Sequence, residues 1–192
     1  MINNIILIGP PASGKGSLAK LIYNDYGIIH ISTGDILRYE MELGTKLGIS
    51  IRETMNSGQY VSDEIITQIV LDTIFKPVYK DGFVLDGFPR TLPQAKILDI
   101  WLKNCDVFHL DCPYDILVER MKGRAIKHNR TDDNEEIFKQ RYDLYLKEIQ
   151  PVLDFYAKAG TLKTLDASLP QTEVFFNVAL DLLLESVEKT ND

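Results

Sequence analysis

The chain has 192 residues, 45% of them hydrophobic and 26% charged, enough to bury a core without disulfide staples. Its formal net charge of -7 excludes a protein built mainly to grip nucleic acid or an anionic membrane, either of which wants a basic face. Cys105 and Cys112 alone supply thiols, at a spacing that suits neither a zinc site nor a disulfide framework, so a reducing cytoplasm is expected.

In chain order, residues 5–8 form a short apolar run ended by glycine, the pattern of a strand buried on both faces of a parallel sheet. The start of the chain is too short and too uncharged for a signal peptide or membrane span. Helical spacing follows over residues 14–26, with Gly27 as a stop. Further strands are predicted at 28–31, 83–85, 107–110 and 161–165, separated by helical pattern, and that alternation argues for an α/β doubly wound parallel sheet. One long helix is expected over 134–159, kinked or broken by Pro151, and a last one begins near Pro170. Two segments fit the sheet poorly: a helical insertion over 32–61, broken at Gly44, Gly48 and Gly58, and a polar loop over 123–133. Both are expected to be attachments to one core domain, able to close over it. No apolar stripe is expected to be left over, which favours a monomer.

After the first strand stands Gly9-Pro-Pro-Ala-Ser-Gly14-Lys15-Gly16-Ser17, with Walker A spacing in the strand-to-helix setting that motif needs. Main-chain N–H groups of such a loop cradle phosphate, the helix N-terminus adds a favourable dipole, and Lys15 supplies a point charge. A surface glycine turn with a solvated lysine is the plainer reading, and the four coincident features outweigh it. Gly16 occupies the place where most such loops put a magnesium-binding hydroxyl, which comes one later at Ser17.

Arginine is scarce, seven against fourteen lysines, so its placement informs. Arg38 lies in the first insertion, Arg90 after a predicted strand, Arg120, Arg124 and Arg130 around the polar loop, and Arg141 beyond it. Its planar fork orients phosphate oxygens as well as neutralising them, a task lysine does less well. Phosphoryl transfer needs such positioning and the exclusion of water more than it needs a general base. His30, His109 and His128 read as packed, partner-bonded or solvated rather than catalytic, and the cysteines as core. Asp86, at the end of a predicted strand, is well placed to hold magnesium through its water shell.

The segments GPPASGKGS, STGDILR, SGQYVSDE, DGFPRTLPQ and GRAIKHNRTDD resemble, in order, the signature segments of adenylate kinases. The resemblance implies a five-stranded parallel core with an AMP-binding insertion and a lid, catalysing reversible transfer from MgATP to AMP to give two ADP. It implies that Ala12, Ser13, Gly14, Lys15, Gly16 and Ser17 hold the ATP phosphates, that Arg120 lies against the adenine, and that Arg124 reaches the phosphates. Leu169 would add backbone. On the acceptor side it implies Thr33, Arg38, Gln59, Tyr60, Val61, Gly87, Phe88, Pro89, Arg90 and Gln94. Arg130 and Arg141 would bridge the two phosphate chains, Asp132 and Asp133 would anchor the lid, and Asp86 and Asp35 would order magnesium-bound water. The lid is the short form without the cysteines that bind zinc in some members, so no structural zinc is expected. Ala12 stands where the family usually has glycine and Leu18 where it has glutamine; a negative φ is expected at Ala12. Two alternatives stay open: a UMP/CMP kinase of the same fold, disfavoured by Thr33 and Gln94, and a nucleotide-binding regulator without turnover.

Overall fold

The computed structural model describes residues 4–103, 105–128 and 134–188, with backbone alone at 125–128 and 185–188. In chain order its elements are β1 (Ile5–Ile8), α1 (Lys15–Tyr26), β2 (Ile29–Ser32), α2 (Thr33–Leu43), α3 (Lys46–Asn56) and α4 (Asp63–Ile74). After a 3-10 turn at Pro77–Tyr79 come β3 (Phe83–Asp86), α5 (Leu92–Trp101), β4 (Asp106–Asp111), α6 (Tyr114–His128), α7 (Glu135–Lys158), β5 (Leu162–Asp166) and α8 (Gln171–Glu188).

The five strands form one sheet in the order β2-β3-β1-β4-β5, every pair parallel. β1 shows why an unbroken apolar run belongs at its centre. Ile6 and Ile8 join the core on one face, with residues of α4, α5 and α7, while Ile5 and Leu7 join the core on the other, with α1, α6 and α8. Period-two alternation with both faces covered leaves no place for a polar residue. The chain leaves β1 toward β2 on one side and leaves β3 toward β4 on the other. The crevice at the carboxyl ends of β1 and β3 is therefore the switch point where such sheets bind ligands.

Several expectations are corrected. Gly44, at φ 63, does end α2, but Gly48 does not break the insertion: it lies inside α3, where an added Cβ would stand 2.0 Å from the Glu40 carbonyl oxygen, so it is the contact that lets α2 and α3 pack. The loop expected over 123–133 is helical over 123–128, as the end of α6; 129–133 lie outside the described residues. Pro151 sits within one continuous helix, α7. Among the described residues an apolar stripe does remain on α8, where Phe176, Leu180, Leu183 and Leu184 are exposed. None of the helices, among the described residues, is long and apolar enough to cross a membrane.

Candidate active site

The loop after β1 is folded by a turn that overrides residue preference. Ser13 N–H donates to the Pro10 carbonyl at 3.3 Å, Pro11 takes the second position, and Ala12 takes the third at φ 66. Proline second and positive φ third is the pattern of a type II turn, so Ala12 adopts the left-handed region in place of the expected negative φ. Gly14, at φ 99, then caps α1 without a side-chain bond, leaving the first-turn N–H groups of that helix to a ligand. A Cβ on Gly14 would fall 2.4 Å from Gln171 Nε2, so the start of α8 closes the back of the loop.

Lys15 folds over this loop, donating from Nζ to the carbonyls of Gly9 and Pro10, both at 2.9 Å. Part of the side chain still reaches solvent, yet the protein packed round it, chiefly by desolvation, pushes the ammonium from 10.5 down to about 8. The Asp86 carboxylate opposes that fall; Arg90, Arg124 and Arg141 reinforce it. Cations from after β3, from α6 and from α7 thus bear on one ammonium, an arrangement that self-repulsion disfavours unless polyanion joins it.

Asp86 ends β3 beside Lys15. Burial raises its pKa, but the neighbouring His30 ring and the Lys15 charge outweigh that and hold it below the ordinary carboxylate value. His30 Nε2 stands 3.5 Å from Asp86 Oδ2, an electrostatic contact too loose to complete a hydrogen bond. A Cβ on Gly16 would come within 3.8 Å of the same carboxylate oxygen, so glycine leaves open the space between loop and carboxylate. One ionised carboxylate facing a phosphate loop suits magnesium, which takes few protein ligands and keeps water and phosphate oxygens. Asp35, in the first turn of α2, instead pairs with Arg38.

Two cavities meet at this crevice. One, an open cleft with about 520 Å³ of empty space, is lined by Thr33, Arg38, Gln59, Tyr60, Val61, Gly87, Arg90, Gln94 and Arg141, with Gly34, Leu37, Met55, Gly58 and Ile66 completing it. The other is lined by Gly9, Pro11, Lys15, Pro89 and Tyr145 among others, and shares Tyr60, Gly87, Arg90 and Arg141 with the first. Arg90 is therefore common to both, held by its Nε–H bond to the Gly87 carbonyl at 2.7 Å and by stacking 5.0 Å over the Tyr60 ring. Gly87, at φ 86, admits no side chain, since a Cβ would lie 2.5 Å from Thr33 Oγ1. Thr33 is buried and donates to the Asp86 carbonyl at 3.2 Å.

The remaining predicted residues lie as follows. Phe88 turns into the core at 1% exposure, and its bond to Pro89 is cis. Arg120 donates to the carbonyls of Ala167 at 2.6 Å, Ser168 at 3.4 Å and Ser13 at 3.5 Å, tying the loop after β5 to the phosphate loop. Leu169 packs on the core beneath. Arg130, Asp132 and Asp133 lie outside the described residues. His109 Nε2 bonds the Tyr145 hydroxyl at 2.9 Å, and Cys105 and Cys112 are buried free thiols whose pKa values burial raises. Sequence reasoning missed Asp63, which accepts from Gln94 Nε2 at 2.6 Å and from Thr91 Oγ1 at 2.9 Å. Its signal was available only as a carboxylate in the segment SGQYVSDE, with nothing local to say what it meets.

Comparison with known proteins gives the same answer as the geometry. A family model described as Adenylate kinase matches residues 7–161. Similar proteins include adenylate kinases of Leptospira biflexa, 42% identical over 170 residues covering 86% of this chain and 91% of the relative, and of Methanosarcina barkeri, 37% identical with 90% and 94% covered. Another, from Clostridium tetani, is 36% identical with 92% and 96% covered. With a phosphate loop at the switch point of a parallel five-stranded sheet and matches across most of its length, the chain belongs to the adenylate kinase family.

Proposed function

We propose that the chain catalyses reversible transfer of the terminal phosphoryl group from MgATP to AMP, giving two ADP, and that the two cavities are its donor and acceptor sides. The observation that carries this reading is the pair of arginines, Arg90 and Arg141, that lines both cavities next to Lys15. A group passing from one side to the other stays in contact with the same guanidinium forks, which is what in-line transfer with little covalent chemistry requires.

On the donor side, loop N–H groups between Ala12 and Ser17 hold the phosphates and Lys15 follows the transferring group, with Arg124 adding charge. Arg120 and the Leu169 backbone flank the base. On the acceptor side, Arg38 and Arg90 take the AMP phosphate, Thr33 and Gln94 the base, and the backbone at 59–61 closes the pocket. Magnesium, when bound with ATP, neutralises charge on the phosphate oxygens. Asp86 would hold it through water; Asp35, paired with Arg38, has the weaker claim. Residues 32–61 serve as the acceptor-binding insertion and 123–133 as the lid, with Arg130 a lid cation closing over the phosphates to exclude water. One chain supplies every one of these groups, which suits a monomer; buried free thiols suit a reducing cytoplasm.

Steady-state assays with AMP, UMP, CMP and GMP as competing acceptors test this. A preference for AMP of two orders of magnitude or more is expected; preference for a pyrimidine would select the UMP/CMP reading, and nucleotide binding without ADP formation would select a regulator.

A further inference from the structure

We propose that Asp63, the first residue of α4, is a positioning residue that fixes the direction of the Gln94 amide and so selects a 6-amino over a 6-oxo purine at the acceptor site. The inference rests on the reading of the Thr33–Gln94 cavity as the pocket for the acceptor base.

A primary amide is nearly symmetric in shape and opposite in chemistry at its two ends. Turned one way, Gln94 offers a carbonyl to an amino group and an N–H to a ring acceptor, which is the order of groups on adenine; turned over, it matches the ring N–H and carbonyl of a 6-oxopurine. Which base the pocket reads therefore depends on what holds the amide. Gln94 is 1% exposed, so bulk water does not set its direction.

Two partners of opposite, fixed character do. The Arg90 main-chain N–H can only donate, and it donates to Gln94 Oε1 at 2.7 Å. The Asp63 carboxylate accepts from Gln94 Nε2 at 2.6 Å. Reversal would set an NH₂ against an N–H and a carbonyl against a carboxylate, two repulsions in a shielded place. With both bonds made, the amide keeps one N–H and one carbonyl lone pair, the pair an adenine edge consumes.

Asp63 is itself held. Its second oxygen accepts from Thr91 Oγ1 at 2.9 Å, and that hydroxyl accepts in turn from Gln94 N–H at 3.4 Å, capping α5. The starts of α4 and α5 are thus joined through one carboxylate. A simpler role for Asp63 is as a negative charge in the first turn of α4, where it favours the helix dipole. That role affects stability and leaves choice of base untouched, so the two are separable.

The test measures kcat/KM for AMP and for inosine monophosphate with MgATP in the full chain, with melting temperatures alongside. Asp63→Ala is expected to lower the AMP-to-IMP ratio roughly tenfold, the scale of one charged hydrogen bond, mainly through KM for AMP. Asp63→Asn, which keeps an acceptor oxygen for the amide, is expected to hold the ratio within about threefold of the parent. An unchanged ratio in Asp63→Ala, with a collapsed ratio in Gln94→Ala, overturns the proposal and leaves the base pocket standing. Unchanged ratios in both overturn the pocket reading and this inference with it. Equal losses in Asp63→Ala and Asp63→Asn assign the effect to charge and overturn the positioning role. Should Asp63→Ala fail to fold, Thr91→Val removes the bond that holds the carboxylate: a ratio lowered about twofold supports the proposal, and an unchanged one overturns it.

Discussion

With the loop as the proposed donor side and the cleft as the proposed acceptor side, the two would handle the same kind of anion by different means. The loop is contiguous and mostly main chain: its shape comes from a turn at Pro10, positive φ at Ala12 and Gly14, and a helix start, and its lysine bonds carbonyls five and six residues away. The cleft is assembled from side chains of α2, α5, α7 and the ends of β3, through bonds such as Thr33 to Asp86 and Gln94 to Asp63 that cross 53 and 31 residues. A main-chain site tolerates side-chain change except at its one charge and its special φ values. A side-chain site carries its specificity in individual residues and loses it one residue at a time.

The largest effect that contrast predicts is at the loop's one charged side chain. Lys15→Met is expected to lower kcat about 10²–10³-fold, since the ammonium counts most where charge builds in the transition state. KM for AMP should move by less than about threefold, because the acceptor contacts are made elsewhere. Melting temperature should hold or rise, because the variant also removes a desolvated cation crowded by Arg90, Arg124 and Arg141. Near-parental turnover would erase the distinction between the two sides.

Next in size is Arg90→Ala. It removes a fork held by Gly87 and Tyr60 and shared by both cavities, and is expected to raise KM for AMP by about 10-fold to 150-fold, the range of a hydrogen bond to charge. KM for ATP should rise less, since the loop amides remain. The reverse order of effects would exchange the donor and acceptor assignments.

A smaller effect links proton and nucleotide. Lys15 has a lowered pKa in the folded chain, so the unfolded chain holds more protons between about pH 8 and 10.5, and folding stability rises with pH across that window. Triphosphate beside the ammonium acts the other way and raises its pKa, so ATP binding near pH 8 should take up about half a proton. Calorimetry in two buffers of different ionisation enthalpy measures this. The uptake should vanish in Lys15→Met; its persistence there would place the proton on another group.

How far the sequence could be read follows the same division. The central strands β1 and β3 were legible because burial on both faces leaves short apolar runs, and the loop because its spacing is local. Gly48 was misread as a break because glycine's preference says nothing of the Glu40 carbonyl packed 2.0 Å from where its Cβ would stand. Residues 123–128 were misread as loop because their polarity is compatible with the end of a helix as well as with a loop. The cleft's arginines stood out by the scarcity of that residue, its other side chains only through family resemblance, and Asp63 escaped because its partners lie 28 and 31 residues on, a pairing that no local pattern encodes.

The smallest predicted effect probes the loop's dependence on backbone. Ala12 holds φ 66 because the turn behind Pro11 demands it, against an alanine preference that opposes it by roughly 1–2 kcal/mol. Ala12→Gly removes that strain, adds freedom to the unfolded chain worth about 0.5–1 kcal/mol and gives up a methyl group partly packed on the core, so a net stabilisation of no more than about 0.5 kcal/mol is expected, read as a rise in denaturant midpoint at constant slope. Turnover should be unchanged, since the turn keeps the loop N–H groups in their directions. A destabilised variant would mean that the turn does not impose its geometry on Ala12. The loop would then owe its shape to the side chain at that position, and the contrast between a main-chain donor site and a side-chain acceptor site would fail where it is most local.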